Sequence, residues 1–156
     1  MNMGNIIDTS SFKKVSNPLD YEKFLHYPRY PCENGVCRMA NDHPDLYGWY
    51  DGPLFYRYRL HDNPQDDVMM FIETQELNEK LYIEQWLIAH TAKEIMDKME
   101  KNEIPMRVGV QGSHPHVHLL TYKCDRATKT KEIDVVEIPV SSLNEKWLPA
   151  PDVMLF

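Results

Sequence analysis

His114, His116 and His118 recur at every second residue in Ser113-His-Pro-His-Val-His-Leu-Leu-Thr-Tyr122. In an extended segment that period brings all three imidazoles to one sheet face, with Val117 and Leu119 on the other. Same-face neighbours stand roughly 7 Å apart, within reach of a shared metal ion or phosphate. Pro115 cannot donate to a ladder, so the strand is expected to begin near it or to lie at an edge. Three of the seven histidines fall within five residues, directly after a glycine turn, which makes this the leading candidate site. The alternative is a surface strand that is merely rich in histidine.

Further groups carry chemistry of their own. Glu73 ends the apolar run Val68-Met-Met-Phe-Ile72 and is placed to hold a hard divalent cation, or else to serve as an N-terminal acid of a following helix. Arg57 and Arg59 share the exposed face of an alternating segment, where guanidinium groups suit phosphate oxygens. The alternative is that they pair with an acidic helix while Trp49, Tyr50, Tyr56 and Tyr58 form core instead of stacking on bases. Cys32 and Cys37, with His43 six residues on, have zinc-ligand spacing, and Cys124 could supply a fourth ligand; a redox or simply buried role is the competing reading.

The elements that must position these residues read as follows. Residues 1–20 are polar and aperiodic, a loose N-terminal arm. Leu54–Leu60 alternates as a strand, 61–67 is a turn by composition, and Val68–Ile72 is a buried strand. Leu77–Asn102 has neither glycine nor proline, and Leu81, Ile88, Ala92, Ile95 and Met99 fall on one helical face, which predicts one long amphipathic helix. Met106–Val110 is expected as a strand, then a turn at Gln111–Ser113, a strand over His114–Tyr122 and another over Ile133–Ile138. The prediction is a single α+β domain over 1–156, with a mostly antiparallel sheet, the long helix on one face, and a C-terminal tail at 149–156.

The 156 residues suffice for one domain with a core. No apolar run approaches the ~20 residues of a bilayer span, and the first residues lack a signal-peptide layout, so the expectation is a cytoplasmic protein with no membrane partner. Three cysteines fit that compartment. A net charge of −7 argues against a non-specific nucleic-acid coat protein. Residues 62–103 hold eleven acids against four bases, whereas 107–131 hold Arg107, Lys123, Arg126, Lys129 and Lys131 against Asp125 alone, a segment open to an anionic ligand.

Residues 54–122 resemble the core of the archaeo-eukaryotic primase–polymerase superfamily. Val-Met-Met-Phe-Ile-Glu73-Thr-Gln75 stands where its carboxylate strand would be. Arg-Val-Gly-Val-Gln-Gly-Ser-His-Pro-His116-Val-His118 stands at the histidine motif, and Ile133-Asp134-Val-Val-Glu137 at a third acidic strand. The resemblance implies an RRM-like core and metal-dependent nucleotidyl transfer in DNA replication, with nucleotide and single-stranded DNA as partners. Glu73, Asp134, His116 and His118 would hold Mg or Mn, and His116 would meet the nucleotide's phosphates, assisted by His114, Ser113, Arg57 and Arg59.

Two other families share the histidine strand. Pro-His116-Val-His118-Leu-Leu resembles the motif of HUH-type rolling-circle replication nucleases, in which two histidines hold a divalent metal beside a tyrosine nucleophile. The last tyrosine here is Tyr122, so the nucleophile would have to lie upstream, as in relaxases. His114, His116 and His118 are also similar to the triad of histidine-triad nucleotide hydrolases, whose middle histidine attacks the α-phosphate. A reading from another class is a non-catalytic nucleic-acid-binding accessory protein. Its apolar end, Val153-Met-Leu-Phe156, would dock on a partner protein or pack back on its own core.

Overall fold

The computed structural model describes residues 2–3, 6–24, 45–49, 53–60, 62–77, 80–125 and 127–156. In chain order the elements are β1 (Asn2–Met3), β2 (Lys13–Lys14), a 3-10 helix (Pro18–Phe24), β3 (Asp45–Trp49), β4 (Pro53–Tyr58), β5 (Asp66–Leu77), β6 (Leu81–Ala92), α1 (Lys93–Glu100), α2 (Met106–Gln111), β7 (His116–Asp125) and β8 (Thr130–Pro139). Strands β3 to β8 form one antiparallel sheet with sequential neighbours side by side. The two-residue strands extend it: β2 pairs antiparallel with β8, and β1 runs parallel to β5. The α+β class and the antiparallel sheet match the expectation.

The single long helix does not form. Residues 81–92 are instead a central strand paired on both sides, and among the described residues α-helix is confined to α1 and α2. The reason is burial on two faces. Leu87 and Ala89 enter one core while Trp86 and Ile88 enter the other. A strand covered on both faces reads as a continuous apolar run without alternation, and Tyr82, Ile83, Trp86 and Ile88 are aromatic or β-branched strand formers. The 3.6 spacing was a coincidence of that run.

Met106–Val110, expected as a strand, is helical, and the helix runs on to Gln111. Pro105 precedes its first turn, and Gly109 lets it lie against α1: a Cβ there would meet Met99 Sδ at 2.6 Å. Gly112, with φ 78°, terminates it. Both helices cover the face carrying Phe55, Met69, Leu87, Val117, Leu119 and Val136, where Met96 and Met99 are fully buried. Each such side chain contributes about 1.5–3 kcal/mol of burial. The opposite face carries Tyr56, Val68, Met70, Trp86, Ile88, Leu120 and Val135, and Phe24 of the 3-10 helix packs on it.

The N-terminal segment is fastened rather than loose. Ile7 is buried and donates its N–H to Gln85 Oε1 at 2.7 Å, while Gln85 Nε2 donates to the Ile7 carbonyl at 3.0 Å. The C-terminal segment is held too: Asn102 brackets Phe156 with two hydrogen bonds of 3.0 Å, and Leu155 packs on the helical-face core. Among the described residues no helix is long and apolar enough to cross a membrane.

Candidate functional site

Strand alternation puts Val117 and Leu119 in the helical-face core, so His116 and His118 project from the opposite face, as the period of two requires. The ladder then fixes their neighbours. His118 stands opposite Glu137 on β8 and opposite Ile88 on β6, which sets His90, two residues beyond Ile88, beside His116. Lys13 of β2 flanks Glu137 from its far side. His116 Nε2 lies 3.4 Å from Glu137 Oε1, and the His116 side chain is 46% exposed.

His118 is more enclosed. The Tyr21 ring, from the 3-10 helix, tilts over it with centroids 5.3 Å apart. Its Nδ1 is buried without a hydrogen-bond partner. Burial pushes the His118 pKa below the ordinary imidazole value, the nearby His90 and His116 push the same way, and Glu137 partly opposes them. A neutral imidazole results at neutral pH. The Tyr21 phenol shifts upward, by burial first and then by the negative charges of Glu137 and Asp20. Beside these groups opens a cavity of about 290 Å³, bordered by Val15, Asn17, Asp20, Tyr21, Phe24 and His90.

His114 does not complete a row of three. It precedes β7 in a bend, and its Nε2 lies 2.7 Å from Asp66 Oδ2. Ser113 is occupied by the backbone rather than held for phosphate: its Oγ accepts from Ala92 N at 2.8 Å, and its N–H donates to the His90 carbonyl.

Arg57 is not on an exposed face. It is 1% exposed on the helical side of the sheet, contacting Asp67 at 2.8 Å and both Asp97 and Glu100 at 3.0 Å. Burial opposes its charge, but these hydrogen bonds outweigh that and raise its pKa above the ordinary guanidinium value. Asp67, fully buried, is likewise held below the ordinary carboxyl range: burial works the other way, and bonds from Leu60 N, Lys93 and Arg57 prevail. Arg59 is partly exposed, 3.6 Å from Glu100. The arginines thus pair with acids of α1 and β5.

The four expected metal ligands are not brought together. Asp134 alternates with Val136 and Ile138 onto the helical face, away from the histidines, and lies 3.9 Å from Lys14 at the border of a 560 Å³ cavity. Glu73 sits at the register break between Ile72 and Thr74. Ile72 faces Trp86, which faces Leu120, so Glu73 is displaced about 13 Å along the sheet from His116. Among the described residues no three His, Cys, Asp or Glu side chains converge as a metal-holding group. Cys32, Cys37 and His43 lie outside the described residues, and Cys124 is a half-buried free thiol.

The cluster at this end of the sheet is therefore His90, His116, His118, Glu137 and Tyr21, with Asp20 and Lys13 flanking. His90 and Tyr21 escape a sequence reading, because the first lies in the segment with helical spacing and the second in the polar N-terminal stretch. No family model matches this chain, nor does any curated protein or solved structure.

Proposed function

We propose that the chain performs phosphodiester transfer on single-stranded DNA, with Tyr21 as nucleophile beside the His116–His118 pair. The observation that carries the reading is the Tyr21 ring against His118, an upstream tyrosine at the one strand whose motif calls for it. In the step, Tyr21 Oη bonds to phosphorus, the P–O3′ bond breaks, and the leaving O3′ takes up a proton. The phenolic proton passes to His118, whose Nδ1 lacks a partner and whose cationic form would face Glu137. His116, more exposed, contacts the scissile phosphate, and the 290 Å³ cavity accepts an adjoining nucleotide part.

A divalent ion, when bound, would neutralise charge on the phosphate. His116 Nε2 and Glu137 Oε1, 3.4 Å apart, have a separation two ligands of one ion can adopt, and this nitrogen–oxygen pair suits Mn or a later transition ion better than Mg. The test is a denaturing gel after incubation with labelled oligonucleotide and Mn. A covalent protein–DNA adduct absent from Tyr21→Phe supports the reading; no adduct, or one retained by Tyr21→Phe, overturns it.

A second reading has its own observation. His116 is exposed and carboxylate-paired, as a nucleophilic imidazole would be, which favours metal-free nucleotidyl transfer through a nucleotidyl-His116 intermediate. Labelled mononucleotide retained on the protein in chelator, and lost in His116→Asn, would select this reading over the first.

A further inference from the structure

We infer that the β7–β8 turn end of the sheet is a docking surface for the phosphate backbone of a single-stranded nucleic acid. The inference deepens the phosphodiester reading but stands on charge, independently of Tyr21. The chain carries a net −7, yet Lys123, Lys129 and Lys131 gather at this one turn. All three are exposed, and none makes an ion pair among the described residues. Leu81 pairs with Asp125, so Lys80 falls beside the same turn.

The nearby acids offset this charge only in part. Asp125 Oδ1 accepts from Ala127 N at 2.9 Å and Thr128 N at 3.1 Å, so its charge is engaged by the turn's own amides. Asp134 lies by Lys14, and Glu84, buried two positions along β6 from Tyr82, accepts from the Tyr82 hydroxyl. Lys123 alternates with Val117 and Leu119 onto the helical face, opposite Glu132 and away from Lys131, which leaves Lys129 and Lys131 as the cations of the docking surface. Tyr82 and Tyr122, half-buried with ring centroids 6.4 Å apart, adjoin the turn and offer aromatic surface for bases.

Register decides what kind of anion fits. Lys131 alternates with Ile133, Val135 and Glu137, so it lies on the histidine face, opposite Cys124. It is about 26 Å along β7 from His116. One nucleotide cannot bridge that interval, whereas a strand can. β7 is also paired with β6 as far as Asp125, so the hairpin does not project as a free ribbon into a duplex groove.

The experiment is fluorescence anisotropy with a labelled oligothymidylate of about 12 nucleotides, in the range of single-strand sites, over a salt series. The wild-type protein should bind, and the Lys129→Glu/Lys131→Glu double variant should bind at least tenfold more weakly at low salt. Its slope of log affinity against log salt should be shallower by about 1.4, two phosphate contacts at about 0.7 each. Lys146→Glu, beyond the other end of β8, should bind like wild type. The nucleophile assignment is read from the covalent adduct on the denaturing gel and the docking surface from this titration, so failure of one and failure of the other are separately visible. Unchanged affinity in the double variant overturns the inference. So does heparin binding as tightly as the oligonucleotide with the same loss in the double variant, which would assign the surface to another polyanion.

Discussion

Glu137 stands directly across the β7–β8 ladder from His118, so a carboxylate faces an imidazole whose pKa burial lowers. The arrangement is suited to transient charge. A proton arriving on His118 makes a cation opposite an anion, whereas in the resting state the imidazole is neutral beneath Tyr21.

Replacing Glu137 by Gln removes the neighbouring negative charge that raises the His118 pKa against the lowering by burial. The His118 ring signals in a two-dimensional NMR titration should therefore move to a still lower pKa. If His118 is the proton acceptor, the rate of adduct formation should fall on the order of 10²-fold with the oligonucleotide affinity unchanged. An unmoved titration would show that Glu137 does not act on His118.

The depressed His118 pKa also sets a stability window. The unfolded chain binds the proton with a value near 6.5 and the folded chain with a lower one. As pH falls below about 6.5 the unfolded state takes up more protons, so folding stability drops until the folded pKa is passed. Melting temperatures between pH 7.5 and 5 should decline more steeply for the wild type than for His118→Gln; parallel curves would contradict this.

How far the sequence discloses this site depends on the periodicity available. β7 and β8 were legible because one face differs from the other along each: Val117 and Leu119 against His116 and His118, Val136 and Ile138 against Glu137. β6 was not, because Trp86 and Leu87 are both core on opposite faces, and a two-sided strand loses its period of two. Misreading β6 hid His90. Tyr21 was invisible for another reason: its contact with His118 spans nearly a hundred residues, and no local pattern encodes it. Arg57 alternates correctly with Tyr56 and Tyr58, but alternation cannot say which face a helix covers.

Arg57 gives a stability test of that last point. Arg57→Met takes one of its two cations from fully buried Asp67, leaving Lys93 and the Leu60 N–H, and breaking a buried pair costs up to about 3–5 kcal/mol. Urea unfolding should register that loss. Adding Asp67→Asn should recover part of it, since the stranded charge is then absent. A loss below about 1 kcal/mol would mean the pair behaves like an exposed one.

Gln85 tests how the N-terminal segment is held. Its side-chain amide imitates a strand partner, accepting from Ile7 N, donating to the Ile7 carbonyl, and donating also to Thr121 Oγ1 at 3.1 Å. Gln85→Leu keeps the side chain's bulk but leaves the Ile7 N–H and carbonyl without these bonds, a cost of about 1–3 kcal/mol for each group left unsatisfied if it stays buried. The cheaper response is for the segment to lift and let water replace the amide. Hydrogen exchange should therefore accelerate at Ile7 while β7 and β8 keep their protection. Because Val15 N donates to the Val135 carbonyl at 3.0 Å further along, Tyr21 should keep its place over His118. A variant in which the Tyr21 and His118 signals also shift would show that the clamp at Gln85 helps to position the proposed nucleophile.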